Sequence, residues 1–129
     1  MYIDIGCRLV THLERNLYIA KWQKQMRKGT LEFLVLLCLR EQEFYGYSLI
    51  QRLKALGDLD VAEGTIYPLL SRLLKEGYIE NRWQIMDKGP ARKYYKITKK
   101  GKEVASTMYE SWQFTTKTVV KAWGSSNGK

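Results

Sequence analysis

Three basic residues surround a Gly-Pro turn and give the sequence its clearest chemical signal. Lys88 lies before Gly89 and Pro90, and Arg92 and Lys93 follow them. Flexible cations beside a turn can neutralise phosphate groups without strict geometry, because the attraction is electrostatic and independent of base sequence. The spacing therefore indicates a surface that binds a polyanion.

Basic charge is concentrated in the same region. Between Asn81 and Lys102, eight lysines and arginines stand against one acidic residue, Asp87, so this stretch carries +7 of the formal net charge of +9. A balance of this kind favours an anionic partner, and nucleic acid is the commonest one for a small protein. Ribosomal surfaces and acidic membranes are the alternatives.

A helix and a β-hairpin are the elements that must position these cations. Residues 78–85 and 93–98 alternate between apolar and polar side chains as two strands, and residues 86–92 connect them. The segment before them carries an apolar stripe at helical spacing, formed by Ile66, Leu69, Leu70, Leu73 and Leu74. A helix fits the major groove of a duplex, and a cationic hairpin beside it can follow the phosphate backbone. This order predicts a winged helix that binds DNA.

Two further helices precede this unit. Residues 30–40 are apolar nearly all round, which predicts a buried core helix with Thr30 as its N-cap. After a break at residues 44–47, a second helix is expected to end at Gly57. Its inward face contains Leu49, Ile50, Leu53 and Leu56. Residues 58–61 could form a short strand before the third helix.

A long terminal helix completes the predicted fold. Thr98 is placed to cap it, and the helix is expected to end near Trp123 and Gly124. Apolar side chains recur at helical spacing at Val104, Met108, Trp112, Thr115 and Val119. Because this stripe continues after a small domain has filled its core, we expect a homodimer. Its predicted interface contains Val104, Met108, Trp112, Val119 and Trp123.

The predicted fold class is mainly α with a small β-hairpin: a winged helix-turn-helix plus a long C-terminal dimerisation helix. Residues 1–25 form an N-terminal extension, 26–98 the winged-helix domain, 99–124 the dimerisation helix and 125–129 a tail. The extension carries an apolar face at Leu9, Val10, Leu13 and Leu17. This face could dock on the domain, extend a dimer interface or be disordered, and the sequence does not choose between these alternatives.

Catalytic and metal chemistry have no support in the sequence. His12 is the sole histidine and has no second ligand type near it, and a phosphate-cradling glycine loop is absent. Cys7 and Cys38 are far apart in sequence, which favours free thiols in a reducing compartment. No apolar run is long enough to span a membrane, and the N-terminus lacks a signal-peptide pattern. We expect a cytoplasmic protein without a cofactor, a metal or enzymatic activity.

Five motifs resemble those of the PadR family of bacterial transcriptional repressors, over nearly all of residues 28–123. They are Lys28-Gly29-Thr30-Leu31-Glu32, Tyr45-Gly46-Tyr47, Gly64-Thr65-Ile66-Tyr67-Pro68-Leu69-Leu70, Gly89-Pro90-Ala91-Arg92-Lys93-Tyr94-Tyr95 and Thr98-Lys99-Lys100-Gly101. The resemblance implies a homodimeric repressor that binds double-stranded DNA at a pseudo-palindromic operator. One departure is Ala62, which stands where family members often have a capping Ser and cannot itself cap the third helix.

Candidate DNA-binding residues lie at three places. They are Tyr45 and Tyr47 at the start of the second helix, Thr65, Tyr67, Ser71 and Arg72 on the third helix, and Lys88, Arg92 and Lys93 in the hairpin. Tyr67 could equally be a packed wall residue. The Tyr45 to Tyr47 segment could equally be a turn held by aromatic packing.

The resemblance also implies an effector site. In multidrug-sensing PadR proteins a similarly placed Trp, duplicated by the dimer axis, stacks planar aromatic compounds. Trp112, with Met108 and Thr115 nearby, is the corresponding candidate here, and a plain dimer contact is the alternative. The main rival to operator binding is the same fold used as a protein- or RNA-interaction module, because a fold alone does not fix function.

Overall fold

The computed structural model describes the backbone of residues 5–57 and 61–127, and within those ranges the side chains from residue 12 to residue 125. The elements are α1 Ile5–Glu41, β1 Phe44–Tyr45, α2 Gly46–Gly57, α3 Glu63–Lys75, β2 Ile79–Gln84, β3 Arg92–Ile97 and α4 Lys99–Asn127. The strands form one antiparallel sheet in the order β1, β3, β2. The predicted fold class, mainly α with a small β-hairpin, is confirmed.

The chain divides into two compact units, Met1–Glu32 and Phe33–Lys129. The described part of the first unit is helical and exposes Leu13 and Leu17, two of the four residues of the predicted apolar face. The side chains of Leu9 and Val10 lie outside the described residues. Tyr18 and Trp22 add two large exposed side chains to the same helix.

Helix α1 begins well before the expected start of the core helix. Thr30 lies inside α1, and its hydroxyl donates to the Met26 carbonyl oxygen at 2.7 Å. A hydroxyl that bonds back to the carbonyl four residues earlier is typical of a helix interior, not of an N-cap. The expectation of an N-cap at Thr30 is therefore wrong. The preceding residues contain no proline, so nothing in the backbone stops the helix there.

The core of the second unit is formed by the last turns of α1, one face each of α2 and α3, the sheet, and the first turns of α4. Its fully buried large side chains are Leu36, Leu49, Leu53, Ile66, Leu70 and Leu73. The predicted inward face of α2 is confirmed at Leu49, Ile50 and Leu53, whereas Leu56 is exposed. Leu56 lies in the last turn before Gly57, beyond the packed part of the helix.

The sheet contains one strand that the sequence analysis did not predict. Strand β1 pairs with β3 through Phe44 opposite Tyr95 and Tyr45 opposite Tyr94. The two predicted hairpin strands are confirmed, with ends that differ by one residue from those expected. The predicted strand at residues 58–61 falls mostly outside the described residues; Val61, the part that is described, is buried and not in a strand.

Thr98 joins the end of α3 to the start of α4. Its hydroxyl accepts a hydrogen bond from the Gly101 amide at 3.0 Å and donates to the Gly77 carbonyl oxygen at 2.7 Å. The predicted cap is confirmed. Gly77 has a φ of +79°, a conformation that glycine adopts without strain, and it ends the turn after α3. Helix α4 continues past Gly124 to Asn127.

Candidate nucleic-acid interface

The first turn of α3 is exposed on one side and buried on the other. Thr65 and Tyr67 are exposed, while Ile66 between them is fully buried. Ala62 is the N-cap and makes no side-chain capping bond, so the first amides of the helix are not covered by a cap hydroxyl. Pro68 lies inside the helix as expected. These features leave side chains and backbone donors of this turn open to a ligand.

Two further candidates lie one turn along α3. Ser71 and Arg72 are exposed, and they follow the buried pair Leu69 and Leu70. The stripe predicted from helical spacing thus separates a packed face from an open one. Four candidate side chains of α3 share the open face: Thr65, Tyr67, Ser71 and Arg72.

Tyr67 lies against the start of α2. A Cβ atom built on Gly46 would lie 2.8 Å from two ring carbons of Tyr67, a distance that real contacts do not reach. Gly46 is therefore required for this close approach between α2 and α3. Tyr67 still exposes 41% of its surface, so it both packs against α2 and borders solvent.

Lys93 connects the hairpin with the same surface. Its Nζ lies 5.8 Å from the ring centre of Tyr95 and 5.9 Å from that of Trp83. Burial raises the pKa of the Tyr95 hydroxyl, and its electrostatic interaction with Tyr67 raises that pKa further. Tyr95 therefore lies near both Lys93 of the hairpin and Tyr67 of α3. Trp83 shares this sheet face but is 65% exposed, because the hairpin extends beyond the core there.

Arg92 lies on the opposite face of the sheet. Its guanidinium carbon is 4.5 Å from the ring centre of Tyr45, and Tyr45 stacks with Tyr47 at 6.4 Å between ring centres. Tyr45 is half-buried and Tyr47 is exposed. The segment from Tyr45 to Tyr47 is therefore packed through its aromatic rings, in agreement with the interpretation of this segment as a turn held by aromatic packing. The packing also brings a hairpin cation to the start of α2.

Three of the hairpin cations have no acidic partner in the described part of the chain. Among residues 5–57 and 61–127, no carboxylate forms an ion pair with Lys88, Arg92 or Lys93. Lys88 and Arg92 are exposed and Lys93 is half-buried, and Gly89 in the loop has a φ of +85°. Because no neighbouring carboxylate offsets their positive charge, these cations attract an incoming phosphate more strongly than paired cations do.

An ion pair beside this surface was missed by the sequence analysis. Arg82 Nε and Nη2 donate to the two carboxylate oxygens of Glu43 at 3.0 and 2.9 Å. The Arg82 hydrogen bonds lower the pKa of Glu43, and the same bonds raise the pKa of Arg82. The two residues are 39 positions apart in sequence, and the pair depends on strand β1, which was not predicted.

Trp112 and its neighbours lie on α4. The Trp112 ring is 6.5 Å from the Phe33 ring, at an interplanar angle of 45°, and 44% of its surface is exposed. Met108 is half-buried and Thr115 is exposed. Trp112 is thus packed on one side by the core helix and open on the other.

The rest of the stripe on α4 is largely uncovered. Val104, at its start, is half-buried. Further along the stripe Val119 and Trp123 are exposed, and on other faces of α4 so are Tyr109, Phe114 and Val120. No group of His, Cys, Asp and Glu in the described residues is arranged to hold a metal ion. No helix in the described part of the chain is long and apolar enough to cross a membrane.

Comparisons with a family model and with solved structures both identify similarity to PadR-like transcriptional regulators. Residues 35–107 match the model of the transcriptional regulator PadR-like family. A crystal structure of a PadR-like transcriptional regulator from Bacillus cereus is 42% identical, with a TM-score of 0.70, and the match covers 77% of this chain and 96% of that one. A PadR family regulator from Eggerthella lenta is 31% identical, with a TM-score of 0.77, over 86% of this chain and 96% of that one. A protein of Lysinibacillus sphaericus is 31% identical over 66% of this chain and 80% of that protein.

Proposed function

Because the chain belongs to the PadR-like family of transcriptional regulators, whose members bind DNA and are not enzymes, we propose that it is a repressor that binds a pseudo-palindromic operator as a homodimer. In this proposal α3 reads bases in the major groove, and the β2 to β3 hairpin, the wing, neutralises phosphates. The cytoplasm is the proposed location, because the proposed target is the genome.

One observation carries the DNA-binding proposal. The open turn of α3 and a wing cation lie close to one another, since Lys93 is 5.8 Å from the Tyr95 ring centre and Tyr67 is near enough to Tyr95 to raise the pKa of its hydroxyl. Reading of bases by a helix requires such an anchor, because phosphate contacts fix the register of the protein on the duplex. Lys93, which has no carboxylate partner among the described residues, supplies that anchor.

Selection of duplexes from a random pool by the full-length protein tests this proposal. We expect the selected duplex to bind about 10³-fold or more tightly than a scrambled duplex of the same composition, with an affinity that falls as salt rises. Thr65→Ala, and substitutions of Tyr67, should change which bases are preferred. Equal affinity for both duplexes would support the rival function, a protein- or RNA-interaction module.

The homodimer proposal is supported by the exposed stripe on α4. Val119 and Trp123 expose 60% and 72% of their surfaces, more apolar area than a monomer normally leaves in water. The proposed interface also contains Val104, Met108 and Trp112. A two-fold dimer places two copies of α3 about 34 Å apart, one turn of duplex, which suits an operator with two half-sites. Light scattering should give twice the mass of the chain, and Val119→Glu should give the monomer mass.

A planar aromatic effector is proposed to bind beside Trp112, with Met108 and Thr115 lining the site. The open side of the Trp112 ring offers a face for stacking, and a second copy would add another. The proposed dimer has one arrangement in which both α3 helices fit the two half-sites and another in which they do not. A ligand that binds the second arrangement more tightly weakens operator binding by the difference between its affinities for the two arrangements. Transcription in vitro from a template with the selected duplex at its promoter should fall when the protein is added and recover with effector.

A further inference from the structure

The outer face of the sheet, opposite to the helices, carries a connected group of side chains. Strand register places Arg82 directly opposite Tyr94, and Tyr94 directly opposite Tyr45. Arg92 precedes Tyr94 by two residues, so its side chain emerges on the same face. Glu43, just before β1, completes what we call the outer-face cluster: Glu43, Tyr45, Arg82, Tyr94 and Arg92.

Arg82 is held on every side within this cluster. Its Nε and Nη2 donate to Glu43 at 3.0 and 2.9 Å, and its Nη1 donates to Gln84 Oε1 at 2.6 Å. The guanidinium carbon also lies 5.0 Å from the ring centre of Tyr94. A paired fork of this geometry fixes both charge and orientation. Arg82 is therefore a wing cation that is already engaged by a carboxylate, although it remains exposed to solvent, unlike Lys88 and Lys93, for which no carboxylate partner exists among the described residues.

The aromatic rings transmit this arrangement to Arg92. Tyr94 meets Tyr45 edge to face at 5.6 Å between ring centres, and the Arg92 guanidinium carbon lies 4.5 Å from the Tyr45 ring centre. Ring contacts of this kind have defined geometries, so the position of one ring constrains the next. The cluster thus connects the carboxylate of Glu43 to Arg92, a cation for which the described residues contain no carboxylate partner.

We propose that Glu43 is a positioning residue that determines specificity for DNA: it withholds Arg82 from phosphates and, through Tyr94 and Tyr45, fixes Arg92 at the start of α2. This inference rests on the proposed DNA-binding function. A cation held in one place contributes to a phosphate contact of fixed register, whereas a mobile one contributes to any duplex. Glu43 therefore favours the selected sequence over all others.

Glu43→Gln tests the proposal, because it keeps the size of the side chain and removes its charge. Arg82 is then free to reach a phosphate, which makes the slope of log affinity against log salt steeper by ~0.9 for an unrelated duplex. Affinity for that duplex rises, while the selected duplex gains less because Arg92 is no longer fixed. The ratio of the two affinities is expected to fall on the order of threefold to tenfold.

Two control variants separate this effect from a change of net charge. Glu80→Gln adds the same charge on the same sheet face, since Glu80 pairs with Lys96 at 3.3 Å, and should leave the affinity ratio at the parent value. The double variant Glu43→Gln/Arg82→Gln lacks the released cation, so its salt slope should return to that of the parent while its ratio stays low.

The measurement uses the full-length protein with two duplexes, one selected from a random pool and one scrambled. The affinities for both duplexes are measured at several salt concentrations, and the thermal unfolding of each variant is measured in parallel. The role of Glu43 is overturned if Glu43→Gln keeps the slope and affinity ratio of the parent, or if Glu80→Gln lowers the affinity ratio as much as Glu43→Gln does. In either case a parent protein that is selective still supports operator binding. A parent protein that binds both duplexes equally overturns the proposed function and this inference together. A change in melting temperature alone, with slope and ratio unchanged, identifies a purely structural ion pair and also overturns the inference.

Discussion

The ring of Tyr67 lies so close to Gly46 that no side chain fits between them. The exposed first turn of α3 and the start of α2 are therefore in direct contact, and Tyr67 belongs to both the packing and the candidate DNA-binding surface. A substitution at Gly46 therefore changes this surface through Tyr67.

Gly46→Ala should destabilise the protein, because the added methyl group would meet ring carbons of Tyr67 at 2.8 Å. Overpacking of this kind costs about 1–3 kcal/mol, which urea unfolding can measure. In the double variant with Tyr67→Ala the clash is absent, so the combined cost should be less than the sum of the two single costs. Gly64→Ala is the matched control, since nothing lies within 4 Å of its added methyl group; a parent-like Gly46→Ala protein would contradict the close approach.

Lys93→Ala should weaken binding to every duplex and make the salt slope less steep by ~0.9, because one phosphate contact is lost. Lys96→Ala is the comparison, as Lys96 is engaged with Glu80 and should contribute less to the slope. Titrations of a selected and a scrambled duplex at several salt concentrations provide both values. An unchanged slope for Lys93→Ala would show that the wing does not contact phosphates through this residue.

The helices and the hairpin could be predicted from the sequence because each carries a local signal. The alternation of residues 78–85 and 93–98, and the buried positions Ile66, Leu69 and Leu70, follow from the two periods of strand and helix. Thr98 could be assigned as a cap because a hydroxyl three residues before an amide suits that role. Burial in the structure agrees with these patterns on α3 and β3, whereas in β2 only Ile79 is buried and Trp83 is 65% exposed.

Non-local features could not be predicted in the same way. Strand β1 has two residues, too few for a periodic signal, and it exists because Phe44 and Tyr45 pair with β3. The bond between Glu43 and Arg82 depends on that pairing. The start of α1 was misjudged at Thr30 because a threonine before an apolar run is typical of an N-cap, and only the Met26 carbonyl oxygen reveals its actual partner.

Trp112→Ala should abolish the quenching of intrinsic fluorescence by a planar cationic dye such as 9-aminoacridine, if the open face of Trp112 binds aromatic compounds. Trp83→Ala provides the control, because Trp83 is exposed on the wing and is not part of the proposed effector site. The dye titration is carried out with the full-length protein and each variant. Quenching that survives in Trp112→Ala, or that disappears in Trp83→Ala instead, would remove the effector site from α4.

Cys38 should react slowly with alkylating reagents in the folded protein. Burial, and then the charge of Glu41, raise the pKa of its thiol to about 11, while Arg52 opposes the rise. At pH 8 the thiolate that such reagents require is scarce, and the side chain has no exposed surface. A Cys7→Ser variant leaves Cys38 as the remaining thiol, so labelling followed by mass spectrometry should be slow in buffer and fast in urea.

The same shift predicts the pH dependence of stability. A thiol whose pKa is raised on folding favours the folded state fully below its ordinary value of 9.0, and that contribution is lost as pH rises through about 11. Urea unfolding of Cys7→Ser should therefore show a loss of stability between those pH values that Cys7→Ser/Cys38→Ala lacks. Parallel pH profiles for the two variants, or rapid alkylation in the folded state, would show that Cys38 is not buried as described.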